Sequence, residues 1–315
     1  MNVFGFKIII KNKIGDFAAG LKVHNDSYYY VNFNKSDKND FSKADVFVQF
    51  NIYNPYMQYN RLNKKNAYEY IINSEKPFLV CEEGAFRQLP TYKRWGWTSY
   101  KNGIGDFNNS NVDNSRWNKI QKENNIIFSN WNSPGDNILI MGQLKGDSAL
   151  IELYDEGYAS FDNYILEQIK IIRQYTDRPI IVRPHPLGTS MLYELEEDLN
   201  KAYRNISISK NYNSTTTVNG GKGLEEDLKS AYCVVTYNSN SAVEAAEKGI
   251  PIFTLSSTSS AYDIGHKDLS KIETLDYDID ISNWCNKIAY TIWNNEEISK
   301  GKMWSHLRNV NHKQR

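Results

Sequence analysis

The sequence has little of what would tie it to a membrane, a metal or an oxidising compartment. Its three cysteines, Cys81, Cys233 and Cys285, lie far apart inside apolar strings. That spacing suits reduced core thiols and not a disulfide framework or a zinc site. Histidine is scarce, five in the chain with no paired ligand spacing, so no metal centre is expected. No apolar run approaches the roughly 18 residues of a membrane-spanning helix. The opening MNVFGFKIIIKN is too short and wrongly flanked for a secretory signal. Net charge is missing too: 37 basic residues balance 37 acidic ones, so attraction to nucleic acid or anionic lipid must come from a local patch. A soluble, cytoplasmic protein without a membrane span is expected.

What is present is the composition of a globular chain. Hydrophobic residues make up 40% and charged residues 23%, which excludes the disordered and collagenous classes. At 315 residues the prior is two domains. Asparagine occurs 37 times, and with abundant Lys, Ile and Tyr this points to an AT-rich genome and not to a physical requirement.

The C-terminal half alternates apolar runs with helical patterns. NILIMG (137–142), PIIVR (179–183), ISIS (206–209), CVVTY (233–237) and PIFTL (251–255) read as strands. Between them lie helical stretches at 161–175, 191–204, 223–231 and 241–249. Such alternation predicts a doubly wound parallel sheet with helices on both faces. In the N-terminal half VFGFKIII, SYYYVNF, ADVFVQF and PFLVCEE read as strands, with helices at 15–25 and 54–73. Residues 84–131, rich in Gly, Asn and aromatics, read as long functional loops, and the domain boundary is placed near Trp131. The expected domains are 1–131 and 132–315, the last helical segment (282–300) closing the second or packing back on the first.

Open parallel sheets bind ligands beyond the carboxyl ends of their strands. Four polar clusters occupy those places: Gln143 to Ser148, including Asp147; Arg183 and His185, the latter between Pro184 and Pro186; Asn238 to Ser241; and a Ser/Thr run ending at His266 and Lys267. The turn at Ser239 and Ser241 precedes a helix whose first N–H groups could hold a phosphate, or whose serines could simply cap it. Glu244 lies one turn on, within reach of a ribose hydroxyl or merely solvated. His185 is framed by two prolines, which fix its backbone and could aim the imidazole at a leaving diphosphate. Arg183 is an anion contact or a strand-end surface charge. The NGGKG stretch (219–223) lacks the preceding strand of a phosphate loop.

Taken in order, GQLKGDSAL, VRPHPL, AYCVVTYNSNSAVEAAEKGIPIF and AYDIGHKDL resemble the capsule-polysaccharide synthesis glycosyltransferases, a family that includes β-Kdo transferases. The resemblance spans about residues 137–300 and implies a GT-B-like α/β fold, two Rossmann-like domains facing a cleft. It also implies a metal-independent glycosyltransferase with no cofactor beyond a UDP- or CMP-linked sugar co-substrate. Cys81-Glu82-Glu83-Gly84 is similar to the family's acidic-acidic-Gly stretch on the acceptor side, which makes Glu83 the implied general base. The family favours Asp there, so Glu82 remains a rival. Gln143, Asp147, Arg183, His185, Asn238, Ser239, Ser241, Glu244, His266 and Lys267 would line the donor nucleotide, with His185 also assisting catalysis.

Residues 87–122 depart from that family pattern. Seven basic residues against two acidic ones interleave with tryptophan and tyrosine. Arg87, Lys93, Arg94, Trp95, Trp97 and Lys101 could hold phosphates and stack on a base. This resembles stand-alone glycosyltransferase-like proteins of bacteriophages with AT-rich genomes, some of which modify hydroxymethylated pyrimidines in DNA. The expected acceptor is therefore such a base, in host cytoplasm if the chain is viral, with a capsular or other surface polysaccharide as the alternative. The same aromatics could instead stack on sugars or pack the loop. A non-catalytic nucleotide- or sugar-binding protein is the other class; it would have no use for the carboxylate pair.

Overall fold

A computed structural model describes residues 1–6, 11–31, 38–50, 52–56, 62–98, 105–186, 196–211 and 221–308. Lys101 lies outside them. Contacts divide the chain into two compact units, Met1–Asn124 with Cys285–Arg315, and Asn125–Trp284. The first boundary falls a few residues before the expected Trp131, and the chain from Cys285 onward groups with the first unit. Among the described residues no helix is long and apolar enough to cross a membrane. The three cysteines are buried thiols.

The first unit opens with β1 (Asn2–Phe6), α1 (Lys11–Lys22), β2 (Ser27–Val31), β3 (Val46–Phe50), α2 (Leu62–Asn73) and β4 (Phe78–Glu83). Of the helix expected over 54–73, α2 covers Leu62–Asn73, residues 57–61 lie outside the described residues, and Asn54 to Tyr56 form a turn in which the Tyr56 N–H donates to Asn54 Oδ1 at 2.8 Å. β1 pairs in parallel with both β2 and β3, and β3 in parallel with β4. Then the direction reverses. β5 (Lys93–Thr98), expected to be loop, runs antiparallel to β4, and β6 (Gly105–Asp106) pairs with it. The helix α3 (Ser115–Asn124) follows. The signal for β5 was period-two alternation in KRWGWT: Lys93, Trp95 and Trp97 share one face of the pleat.

In the second unit β7 (Asn137–Met141), α4 (Ile151–Asp155), α5 (Phe161–Ile172), β8 (Ile180–Arg183), α6 (Glu196–Tyr203), β9 (Ile206–Ile208), α7 (Gly221–Lys229), β10 (Ala231–Thr236), α8 (Ser241–Glu247) and β11 (Ile252–Thr254) alternate much as the sequence predicts. The five strands form one sheet ordered β11-β10-β7-β8-β9, every pair parallel. β10 is buried along its whole length, as a central parallel strand covered on both faces must be. α8 ends on Gly249 at φ +76°, a left-handed position that favours glycine.

The helix expected over 282–300 is broken. α9 (Ile281–Ala289) contains the unit boundary, β12 (Ile292–Trp293) follows, then α10 (Asn295–Ser299) and α11 (Lys302–Leu307). β12 joins the edge of the first sheet beside β5, giving the order β12-β5-β4-β3-β1-β2. α1, α10 and α11 cover one face: Phe17, Leu21, Ile298, Met303, Trp304 and Leu307 pack with Leu79, Cys81, Trp95 and Trp97. The Trp97 indole donates to the Leu307 carbonyl at 2.9 Å.

Arg116 on α3 locks this C-terminal return. Its guanidinium donates to both Glu297 oxygens at 2.5 and 2.8 Å and to the carbonyls of Ala289 and Ile292. It also lies 3.7 Å from the centroid of the Trp293 ring. Burial alone would raise the Glu297 carboxyl, but Arg116 outweighs it and holds it below the usual range. Because both partners are buried, removing one leaves an uncompensated charge. Arg116→Met should therefore lower the urea-unfolding free energy by about 3–5 kcal/mol, and Arg116→Met with Glu297→Met should recover most of it. A loss under about 1 kcal/mol, the value of an exposed pair, would deny the lock.

Candidate functional site

The second sheet has a topological switch. From β7 the chain steps outward through β8 to β9, then returns to place β10 on the other side of β7. The loops leaving β7 and β10 diverge, and the crevice between them at the carboxyl edge is where such sheets bind ligands.

Two consecutive residues at the end of β7 hold both neighbours. Gly142 donates its N–H to the Arg183 carbonyl at 2.7 Å. A Cβ at Gly142 would sit 2.8 Å from that carbonyl and 3.0 Å from the His185 nitrogen, so glycine is what lets the Pro-His-Pro turn close in. Gln143 turns the other way: its amide donates to Asn238 Oδ1 at 2.5 Å and accepts from the Asn238 N–H at 3.2 Å.

Asn238 continues a chain of polar side chains across three loops. Its Nδ2 donates to the Ala149 carbonyl at 2.6 Å and to Thr258 Oγ1 at 2.5 Å. Thr258 and Ser256 share a hydroxyl bond at 2.7 Å, and Ser256 Oγ donates to Glu152 Oε2 at 3.3 Å. Burial pushes the Glu152 carboxyl up, against the Ser256 bond that lowers it. Sequence reasoning saw the Ser/Thr run but not Ser256, Thr258 or Glu152 as partners, because their pairing is entirely long-range. Asn238, expected as a donor ligand, is instead a buried fastener with its amide fully used.

Arg183 is also corrected. It is neither a surface charge nor an anion contact: it is buried against Asp227 at 2.5 Å, and Asp227 also accepts from Ser209 at 2.6 Å and Asn211 at 2.7 Å. Asp147 caps the turn at Ser148–Leu150, accepting from the Ala149 N–H at 2.9 Å. His185, Ser239, Ser241 and Glu244 stay half-buried at the edge. The N–H groups expected to be free for a phosphate are locally engaged: Ser241 donates to Ser239 Oγ at 3.3 Å, Ala242 to the Ser239 carbonyl and Val243 to the Asn240 carbonyl. The hydroxyls of Ser239 and Ser241 meet at 2.9 Å, leaving their remaining hydrogen-bond capacity as the turn's contribution.

His266 is half-buried and Lys267 exposed, and both are tied to the surrounding backbone. The backbone of His266 bridges β11, donating to the Ile252 carbonyl at 2.8 Å and accepting from the Thr254 N–H at 3.0 Å. Its ring packs between Phe253 and Trp131 at 5.1 and 5.9 Å between centroids. Nε2 is buried without a hydrogen-bond partner. Burial lowers its affinity for a proton, outweighing the Asp276 contacts that raise it. The Lys267 ammonium donates to the carbonyls of Tyr262 and Gly265 and lies 4.1 Å from the Tyr262 ring centroid. Burial holds it below the usual lysine range. The buried His266 Nε2 is not open to a ligand, and the ammonium of the exposed Lys267 is already held by two carbonyls.

In the first unit, Glu82 and Glu83 end β4 and lie directly opposite Arg94 and Lys93 on β5. Both form cross-strand ion pairs, Glu83 with Lys93 and Glu82 with Arg94. The Glu83 side chain is 64% exposed while Lys93 beneath it is 7% exposed, so the carboxylate faces solvent and the ammonium does not. The basic-aromatic acceptor patch dissolves accordingly. Trp95 and Trp97 are 4% and 5% exposed in the core and present no stacking face. Lys93, Arg94 and Arg116 are held by carboxylates, and only Arg87 of the described acceptor residues stands exposed.

No known protein family matches the chain, and no curated protein matches it in sequence. Solved structures do. The β-Kdo 2,7 transferase KpsC of Thermosulfurimonas dismutans is 13% identical, with 97% of this chain and 99% of that chain covered at a TM-score of 0.52. The two share an α/β fold with parallel sheets, as expected for a GT-B-like architecture. Anabaena Alr3699/HepE in complex with UDP and glucose is 10% identical over 98% of each chain, with a TM-score of 0.36. Aspartate transcarbamoylase from Trypanosoma cruzi, 12% identical, covers 97% of this chain and 83% of that chain with a TM-score of 0.28. These last two are too distant to bear on the fold.

Two outcomes test the geometry. Asn238→Ala should cost about 1–3 kcal/mol in urea unfolding by stranding buried partners; an unchanged stability would mark a ligand residue and not a fastener. His266 binds its proton more weakly folded than unfolded, so the unfolded state takes up more protons as pH falls through the ordinary 6.5. Its contribution is a loss of stability that begins there and grows on further acidification. His266→Gln should flatten the pH dependence of unfolding below about 7 relative to wild type; parallel curves would contradict the inward, desolvated ring.

Proposed function

We propose that this protein transfers a glycosyl group from a nucleotide sugar, UDP- or CMP-linked, to an acceptor hydroxyl. The observation that carries the reading is the switch-point edge of the second unit, where the end of β7 holds the His185 turn and the Asn238–Ser241 turn together. The fold shared with a solved β-Kdo transferase supports it.

In the proposed step an acceptor oxygen forms a bond to the anomeric carbon while the bond from that carbon to the phosphate oxygen breaks. The acceptor proton passes to Glu83, and the phosphate leaves with the electron pair, met by His185 and the serine hydroxyls. The chemistry as written needs no metal. We assign the base to Glu83 and not Glu82 because Glu83 is the solvent-facing member; Glu82, 19% exposed, lies against Arg94 within the sheet.

For the acceptor we prefer a glycan hydroxyl, in a capsular or other surface polysaccharide, over a hydroxymethylated base in DNA. Of the acceptor residues expected for DNA, Trp95 and Trp97 are buried and Lys93 and Arg94 are paired, Arg87 is exposed, and Lys101 lies outside the described residues. It would still be marked by an affinity falling with salt at a log–log slope of about −0.7 to −0.9 per phosphate contact.

Glu83→Gln should keep nucleotide-sugar binding and lose transfer by about 100-fold or more. Glu82→Gln should stay within about tenfold of wild type, and His185→Ala should weaken both donor binding and turnover with the fold intact. Scoring released nucleotide across a panel of sugar donors, with glycan and hydroxymethylated-DNA acceptors in parallel, reads all three. Full activity of Glu83→Gln would overturn the base assignment. Absence of turnover with every donor, alongside binding of free nucleotide, would leave a non-catalytic nucleotide-binding protein.

A further inference from the structure

A pocket of about 330 Å³ opens between α5 and the segment Lys267 to Ser270, wholly within the second unit. One wall is a helical stripe of Tyr164, Gln168 and Ile171 on α5, continued by Tyr175 in the turn after it. Leu255 and Leu269 form the opposite wall, and the polar rim includes Asp268 and Ser270.

Two of these side chains bring polar groups to the pocket. Gln168 is 6% exposed and Tyr164 7% exposed, yet neither the carboxamide nor the phenol is among the described side-chain atoms sealed from solvent without a partner. An amide and a hydroxyl one helical turn apart, on side chains that line the pocket, are open to a partner that enters it. Burial raises the Tyr164 phenol well above its ordinary value, which keeps it a neutral donor. Ile171, Leu255 and Leu269 supply the apolar lining, the exposed Tyr175 lies at the rim, and Lys267, Asp268 and Ser270 are its polar side.

We propose that this pocket takes the base of a nucleotide. A base has flat apolar faces, which suit walls of Ile171, Leu255 and Leu269, and an edge carrying a donor beside an acceptor, which a carboxamide matches. A pocket of this size admits one nucleoside. A sugar, with hydroxyls on every side, would leave those walls unmatched. Position agrees with the ligand class. Leu255 directly follows β11 at the carboxyl edge. Tyr164 packs edge-on against Tyr237, 5.3 Å between centroids, one residue before the Asn238 fastener. This placement rests on the donor reading above and adds to it the subsite that selects the base.

Calorimetry on the full chain tests it, with CMP, UMP, AMP and GMP as probes and ribose 5-phosphate as the probe that lacks a base. At least one monophosphate should bind about tenfold or more tighter than ribose 5-phosphate. Gln168→Leu and Tyr164→Phe should each weaken that monophosphate, Gln168→Leu by about tenfold, while leaving ribose 5-phosphate unchanged. Gln168→Glu, with the same shape but no N–H donor, serves if the leucine variant folds poorly. Wild-type nucleotide affinity in folded Gln168 and Tyr164 variants would place the base elsewhere and leave the donor reading standing. No binding of any monophosphate to the wild type would overturn the donor reading and this subsite together.

Discussion

The second unit depends on what happens at the end of β7. A parallel sheet that switches direction between β7 and β10 has diverging loops at its carboxyl edge, and diverging loops need a tie. Gly142 supplies it on one side by having no side chain, so that the backbone of Arg183 to His185 closes against it. Gln143 supplies it on the other with a two-point amide clasp to Asn238. From Asn238 the bonds run through Thr258 and Ser256 to Glu152, so three loops from three strands are fixed as one surface. A network with its members paired is rigid, and rigidity at the edge holds His185 and the serine turn in register before any ligand arrives.

Charge in the first unit is used the same way. Part of a stretch that reads in sequence as a cationic binding loop is a strand, β5, whose two cations are paired. Lys93 and Arg94 face Glu83 and Glu82 across one antiparallel ladder, and Arg116 serves as the pin between α3 and the C-terminal return. At Lys93, Arg94 and Arg116 the positive charge therefore serves the fold. What is left exposed is a carboxylate, Glu83, above a buried ammonium.

Much of the second unit was legible because its strands are short apolar runs bounded by helices with clear periodicity, and the order of motifs follows the order of strand ends. The polar clusters at 143–148, 183–185 and 238–241 do lie at the carboxyl ends of β7, β8 and β10. Their division into fasteners and open groups was not legible. Asn238 and Ser239 are neighbours of similar chemistry, yet one bonds residues 95 and 20 positions away and the other stays at the surface. Arg183 likewise gave no local sign that Asp227 would bury it. In the first unit β5 was hidden by its composition: tryptophans beside lysine and arginine look like a binding loop unless alternation is weighed first. β12 was hidden by its length, two residues inside a stretch with helical composition.

The central claim is that the tied edge of β7, β8 and β10 is the place where a nucleotide binds. Hydrogen–deuterium exchange of the whole protein, with and without a saturating nucleoside monophosphate, tests it without requiring turnover. Protection should rise in peptides covering 142–148, 184–186 and 237–241, with the first sheet unaffected. Protection confined to other segments, at a nucleotide concentration shown to saturate, would contradict the account.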